Sequence, residues 1–527
     1  MTTAPSFDEL KQAHTALQAD HRRLQAQYRK AQLKIAKFEE ERRLDRARRF
    51  GASSEVGDHQ YRLFDEAETN LDVDAANTDS EEGGIEADET VEVAAHTKRR
   101  PKRKPLPQDL PRVVVQHDLP LAERMCGCGG EMAVIGEKIT EQLDVIPAQV
   151  FVLEHHRPTY SCPACDESIR TTPLPPQPIP KSVASPGLLA HVAVAKYADG
   201  LPLYRQSKQF ERLGIEMPRN TLASHMVKIG ERIEPLIDAL VGHIRGHDIV
   251  QMDETPVQVL KEPGKVAQSK SYMWVMKGGP PAQPAIVYHY DPGRTQSVPM
   301  QLLPDYHGYL QTDGYAGYNA ILAQDTVTGV GCWAHVRRKF TDARKALPKA
   351  QQNKGNKVTQ GLAFIGKLYQ LEKVLKDADP DTRHARRQVE ALPVLVAFKA
   401  WLDKQSVPPK TLLGKAIHYA LAEWPRLLIY TQDERLSIDK NEIENTIRPF
   451  ALGRKNWLFS DTQHGVRASA GLYSLIETAK ANGLNDYAYL KWVFAQLPTA
   501  TSPELIEQLL PWYVDQADLE AQLKQPP

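Results

Sequence analysis

No stretch of this 527-residue sequence approaches the ~18 to 20 apolar residues needed to span a bilayer, and the N-terminus lacks the basic-then-apolar pattern of a secretory leader. The expectation is a cytoplasmic chain with no membrane partner. Cysteine is scarce as well. Five residues, four of them in two close pairs, argue against a disulfide framework and toward a metal site. Net charge is the third thing missing: 66 basic side chains balance 66 acidic ones, which at first sight does not suit a protein that grips a polyanion.

The balance hides a segregation. Leu63 to Thr97 carry twelve acidic side chains and no Lys or Arg, so the rest of the chain holds 66 basic against 54 acidic residues, a net charge of +12. A basic body with a separate acidic run suits a nucleic-acid binder whose tail competes with phosphate for its basic surface; a solvated linker is the plainer reading. The run is too poor in apolar residues to offset the entropy of ordering, so disorder is expected. It ends in Lys98, Arg99, Arg100, Pro101, Lys102, Arg103 and Lys104, six cations in seven residues. Such a segment can follow a phosphate backbone without reading bases.

The chain's length allows three or four domains. At the N-terminus Leu10, Leu17, Leu24, Ala31 and Phe38 recur every seven residues, with Phe7, Tyr28 and Ile35 three residues earlier in the same register. His14 and His21 interrupt the seam, so a single amphipathic helix and a weak coiled coil both fit. Cys126-Gly127-Cys128 and Cys162-Pro163-Ala164-Cys165 flank strand-like sequence at Gln149 to Leu153. Four thiolates on two turns suggest a closed, structural zinc site, with buried structural cysteines as the alternative. Between Ser185 and Gly230 the pattern is helical, and Gly214 to Thr221 resembles the turn of a helix-turn-helix with Asn220 or Thr221 as the cap. This brings Arg219 toward DNA; an ordinary helical hairpin is the competing reading.

From His247 the periodicity changes. Ile249 to Asp253, Tyr272 to Met276 and Ala285 to Tyr290 read as three strands of a meander. A helix from about Thr295 to Leu303, a strand Gly308 to Asp313, a strand Thr326 to Cys332 and a helix Ala334 to Leu347 follow, the element order of an RNase H-like nuclease core. Asp253 and Asp313 each end an apolar run and are followed by turn-forming sequence, placing two carboxylates on neighbouring strands. Magnesium prefers such hard oxygen ligands, and two divalent ions can activate an attacking oxygen while stabilising the leaving one. Cap or turn duty is the plainer role for either aspartate. A third carboxylate comes from the helix near Ser437 to Pro449. Glu442 and Glu444 lie ~200° apart on a helix; Glu442 stands three residues after Asp439 as a capping-box partner would, so Glu442 is assigned to the cap or to solvent and Glu444 to metal. Adjacent strand residues face opposite sides, which separates Asp253 from Glu254 in the same way.

These residues resemble the insertion-sequence-66 transposases of the Asp-Asp-Glu class. The likeness rests on Met252 to Pro256, Thr312 to Tyr318, Cys332 to Phe340, Ile447 to Phe459, the N-terminal zipper ending near Arg48-Arg49-Phe50-Gly51, the paired cysteines and Leu472 to Lys480. It covers nearly the whole chain. It implies Asp253, Asp313 and Glu444 as a triad for Mg2+ or Mn2+, with a helical insertion at about 341–436 between the second and third members. Where the family shows Asp-Asn-Asn and Glu-Arg, this chain has Asp439-Lys440-Asn441 and Glu444-Asn445, losing an arginine that could contact the DNA backbone. Cys332 and His335 resemble a pair found in transposase cores of this fold; stabilising the strand-to-helix junction is preferred over zinc binding. Arg448, Arg454 and Lys455 are candidates to neutralise phosphates, Trp457 to stack on a base or join the core, and Arg337, Arg338 and Lys339 to form a solvated face.

The expected fold is multidomain: a coiled-coil helix (1–50), an acidic then basic linker (51–110), a zinc-binding unit (111–180), a helix-turn-helix domain (181–245), an α/β RNase H-like catalytic core (246–460) and a helical C-terminal segment (461–527). The expected function is a transposase that binds terminal inverted repeats and joins them to target DNA as a homodimer or larger oligomer. The resemblance also implies accessory proteins of the same element. A DNA-binding regulator that has lost chemistry and a nuclease that cuts without joining are the alternatives.

Overall fold

The computed structural model describes residues 7–50, 149–161, 169–352 and 355–524, with the isolated positions 112, 114 and 142. The acidic run, Lys98 to Lys104, and Cys126, Cys128, Cys162 and Cys165 lie outside the described residues. Contacts divide the chain into two units, Met1–Leu71 with His155–Pro527, and Asp72–Glu154. In the smaller unit Gln149 to Leu153 are not the expected strand. Val152 and Phe151 are exposed, and no strand pairs with them among the described residues, so their backbone groups have no ladder to join.

The first 44 described residues form one helix, α1 (Phe7–Phe50). Leu17, Leu24, Tyr28, Ile35 and Phe38 on its heptad seam are exposed, while Leu44 near its end is buried. There Arg43 Nε donates to the Ala346 carbonyl at 2.7 Å and Glu40 Oε2 accepts the Leu412 amide at 3.2 Å. A short antiparallel hairpin, β1 (Thr159–Ser161) and β2 (Ile169–Thr171), follows.

Four helices come next: α2 (Pro186–Tyr197), α3 (Leu203–Arg212), α4 (Arg219–Arg232) and α5 (Glu234–Arg245). The turn between α3 and α4 uses Gly214 at φ 77°, where a side chain would be strained. Pro218 takes the N-cap position of α4, so Asn220 and Thr221 sit inside its first turn and do not cap it. Proline's fixed φ suits entry into a helix, and its missing N–H costs nothing there.

The main sheet has the order β5 (Ala285–Asp291), β4 (Lys270–Gly278), β3 (Ile249–Lys261), β6 (Gly308–Gln311), β7 (Val327–Val330), with β8 (Ser460–Thr462) pairing the far end of β3. The first three strands form the expected antiparallel meander, and β6 and β7 run parallel to β3. One expectation is corrected: β3 does not end at Asp253 but continues to Lys261, because Thr255 to Leu260 alternate in burial and pair with β4 and then β8. The open site therefore arises mid-strand. On its β6 side β3 is paired at Ile249–Gln251 and again, to β8, at Val259 and Lys261, and Pro256 stands in the interval between.

β5 is an edge strand, which would leave backbone groups unpaired. Helix α6 (Gln463–Ala481) covers it with hydroxyls: Ser474 Oγ accepts from the Tyr288 amide at 2.8 Å, and Thr478 Oγ1 accepts from the Ile286 amide and donates to its carbonyl, both at 3.0 Å. This accounts for Ser474 and Thr478 standing one turn apart on the buried face of the helix. One hydrophobic core runs from Ile179 through α2, α4, α5 and the sheet to Leu519. A second, built around Trp333, Phe340, Phe398 and Trp424, joins helix α7 (Trp333–Lys345) to the helices of residues 357–428. Among the described residues no helix is long and apolar enough to cross a membrane.

Candidate active site

The two aspartates follow equivalent positions on neighbouring strands. In the parallel pairing of β3 with β6, Gln251 lies opposite Gln311; Asp253 stands two residues beyond the first and Asp313 two beyond the second. The glutamines are buried, and Gln251 Nε2 donates to Gln311 Oε1 at 2.7 Å. Gln311 Nε2 also reaches the Ser437 carbonyl at 2.9 Å, which ties the segment leading to the third carboxylate onto the same strand. Asp313 leaves the sheet in a turn, its Oδ1 accepting the Tyr315 amide at 2.9 Å.

Glu444 lies in the helix α8 (Asn441–Trp457). The separation of Glu442 from Glu444 is as the helix geometry requires: Glu442 is exposed and pairs with Lys277 Nζ at 2.5 Å, whereas Glu444 is only 26% exposed. Of the two places expected for Glu442, cap or solvent, the structure shows the solvent-facing one. Lys440 occupies the N-cap, and Asp439 instead accepts the Asn441 amide at 3.0 Å and the Tyr369 hydroxyl at 2.8 Å. Glu442 is drawn away by the cation on β4.

Around the carboxylates stand three basic groups. Lys440, fully buried, places Nζ 2.9 Å from Asp253 Oδ1. Arg338, on α7, reaches Glu444 Oε2 at 3.0 Å, and His335, one turn earlier, brings Nδ1 to 3.8 Å from Glu444 Oε1. Burial pushes the Asp253 carboxyl above its ordinary range; Lys440 pulls it back, and Asp313 and Glu444 raise it again. Burial works to lower the Lys440 pKa, but Asp253 and Asp313 outweigh it, so the ammonium is retained. Burial, with Lys440 and Arg338 nearby, holds His335 below the usual imidazole range, which leaves its ring neutral.

Glu254 faces the other side of β3, as alternation requires. It is paired with the Arg294 guanidinium and accepts the Tyr318 hydroxyl at 2.6 Å. Arg294 stacks 3.7 Å from the Tyr315 ring centre, and the Tyr315 hydroxyl donates to the Arg294 carbonyl. This network links the β3 residue beside Asp253 to the turn that carries Asp313. The helical insertion closes over the same turn, where the Gly314 amide donates to the Tyr419 hydroxyl at 3.3 Å.

The donor chemistry fits a hard divalent cation. Asp253 feels the charges of both Asp313 and Glu444, and Glu444 Oε1 is buried without a hydrogen-bond partner, a cost a cation would remove. In the present side-chain arrangement, no three His, Cys, Asp or Glu groups among the described residues converge on one ion position. Lys440 and Arg338 stand against the carboxylates instead. Neither was marked in the sequence as part of the site. Arg338 was legible in one respect, since it lies three residues after His335 on the same helical face.

The other candidates fall as follows. Cys332 is a buried free thiol at the N-cap of α7, its Sγ accepting the Lys440 amide at 3.4 Å; burial pushes its pKa up to about 12, consistent with the junction role and not with reactivity. Arg454 donates to the Thr255 hydroxyl at 3.1 Å and to the Pro256 carbonyl, bracing the unpaired part of β3. Arg448 and Asn445 line an open cavity of about 420 Å³ with Asp199 and Gly200. Trp457 packs edge-on against Phe450, a core contact. Arg337 and Lys339 lie over the rings of Tyr369 and Tyr419. Arg219 and Lys455 are exposed.

Comparison with known proteins places four matches along the chain. Residues 181–468 match the Transposase IS66 family and residues 474–512 the IS66 C-terminal element. Residues 123–166, which include all four paired cysteines, match the zinc-finger binding domain of transposase IS66, and residues 37–115 match the Transposase C of IS166 homeodomain. The homeodomain match thus lies upstream of the α3–α4 turn. The chain is 31% identical over 488 residues to the uncharacterized protein y4jD of Sinorhizobium fredii (strain NBRC 101917 / NGR234), covering 88% of this chain and 91% of that one. It is 29% identical over 501 residues to the uncharacterized protein y4hP of the same strain, covering 91% and 88% respectively.

Proposed function

This chain belongs to the IS66 family of transposases, and on that footing we propose that it binds the terminal inverted repeats of an insertion sequence, hydrolyses a strand at each end and joins the freed 3′ hydroxyl to target DNA. The observation that supports the chemistry is that Asp253 and Asp313 each stand two residues beyond the paired Gln251 and Gln311 of the parallel strands β3 and β6, with Glu444 near enough for its charge to act on Asp253. The sheet order, an antiparallel meander followed by two strands parallel to its first, supports an RNase H-like core.

Asp253, Asp313 and Glu444 would hold Mg2+ or Mn2+. When bound, such ions would supply activation of the attacking oxygen and stabilisation of the leaving one, for hydrolysis and for strand transfer alike. The chain's own contribution is orientation. Gln251 and Gln311 set the register of the two aspartates, Arg338 steers Glu444, and Glu254 with Arg294 and Tyr318 anchors the strand beside Asp253. The match over residues 123–166 supports zinc there, and Cys126, Cys128, Cys162 and Cys165 would be its ligands in a structural role.

DNA is the partner, and its backbone would be followed by Lys98, Arg99, Arg100, Lys102, Arg103 and Lys104 and contacted by Arg219, Arg448 and Lys455. Arg454 holds β3 and is better placed to support the site than to touch phosphate. The exposed heptad residues of α1 would join protomers so that two DNA ends meet.

Strand transfer in Mg2+ tests the proposal, using DNA that carries one of the element's inverted repeats and a labelled 3′ end. Joined product from the wild type and none from Asp313→Asn supports it. Cleavage without joining points to a nuclease, and binding without either reaction by both proteins points to a regulator.

A further inference from the structure

Lys440 is placed against every general preference for a lysine. Its side chain is fully buried, where an ammonium loses its hydration. It occupies the N-cap of α8, the positive end of the helix dipole, and makes no capping hydrogen bond. Its Nζ has no well-aligned hydrogen-bond partner among the described residues. The acidic groups beside it offset these costs. Asp253 Oδ1 is 2.9 Å away, and Asp313 is the next acidic group to act on the ammonium. The other titratable neighbours, Cys332 and His335 on the α7 side, are both held neutral by burial.

The ammonium therefore sits where the fields of two aspartates add, which is also where they would draw a divalent cation. We propose that Lys440 is a resident counter-ion: it holds Asp253 and Asp313 together in the metal-free chain and gives way when metal binds, so that it sets the metal affinity of the site. It is a positioning residue that acts through the aspartates. The inference rests on the reading of Asp253 and Asp313 as metal ligands. It implies a chain that folds with Asp253 already paired to a cation and takes up metal at the expense of that ion pair.

Two readouts test it on the full-length, zinc-loaded protein: Mn2+ binding by electron paramagnetic resonance, and the thermal unfolding midpoint with and without Mn2+. The near-isosteric Lys440→Met is compared with wild type, Asp253→Asn and the double variant. The expected result is at least ten-fold tighter Mn2+ binding by Lys440→Met, a lower midpoint than wild type without Mn2+, and a larger rise on its addition. Unchanged or weaker Mn2+ binding by Lys440→Met, while Asp253→Asn loses it, overturns the counter-ion role and leaves the metal triad standing. Mn2+ binding by Asp253→Asn equal to wild type overturns the triad reading, and this inference with it. Should Lys440→Met fold poorly, the double variant decides: recovery of stability on removing both charges supports the pairing, and no recovery overturns it.

Discussion

Gln251 and Gln311 meet amide to amide across the parallel junction of β3 and β6, at 2.7 Å and with both side chains buried. In a parallel sheet a slip of one residue would turn each side chain to the opposite face. A buried polar pair opposes such a slip, because any other register breaks the hydrogen bond between the two amides. The carboxylates two residues further along inherit their alignment from it.

Replacing Gln251 with Leu should therefore destabilise the protein by about 1–3 kcal/mol, the cost of leaving a buried amide unpaired. Adding Gln311→Leu should cost less than the sum of the two single changes. Urea unfolding of the four proteins in a double-mutant cycle measures the coupling, and simple additivity would show that the pair does not work as a unit.

Arg338 is the counterpart on the helix side. Arg338→Gln removes the 3.0 Å contact to Glu444 Oε2 without touching DNA-binding segments elsewhere. Strand cleavage should fall on the order of ten- to a hundredfold, as for other groups that orient a metal ligand. Binding of inverted-repeat DNA in the absence of divalent metal, followed by gel shift, should change little. A loss confined to DNA binding would instead make Arg338 a phosphate contact.

Gly230 on α4 lies where an added methyl group would come within 2.6 Å of the Ala468 backbone on α6. Gly230→Ala must push the two helices apart, at a cost of roughly 1–3 kcal/mol. Because α4 and α6 share one core with the sheet, the whole unfolding transition should move to lower temperature in calorimetry. An early, separate transition would mean that residues 181–245 unfold on their own.

His225 predicts a pH dependence. It is buried beside Ser182, and burial, reinforced by Lys228, holds its pKa below 6.5. The unfolded chain thus takes up a proton that the folded chain resists. Its contribution to stability is complete above pH 6.5 and is lost as pH falls through the lowered folded value. Urea midpoints collected from pH 7.5 down to 4.5 should decline less steeply for His225→Gln than for wild type; parallel curves would exclude His225 as the cause.

Much of this protein is determined by its sequence alone, and the elements that are share a feature. The meander, the opposite facing of Asp253 and Glu254, and the separation of Glu442 from Glu444 follow from periods of 2.0 and 3.6 residues, which are local properties of strand and helix. The α1 heptads, and the likeness to one transposase family, were legible for the same reason: spacing along the chain carries them. What only the tertiary structure decided are meetings between residues far apart in sequence. Glu442 looked like a capping or a solvated residue, and its pairing with Lys277, 165 positions away, could not be read locally. Arg338 looked solvated until α7 was laid against Glu444. Asp253 looked like the end of a strand until β4 and β8 extended its ladder to Lys261. Lys440 looked like a departure from a motif, and its meaning came from the buried aspartate 2.9 Å from its ammonium. Charge at a distance follows no period, so no local pattern could have announced it.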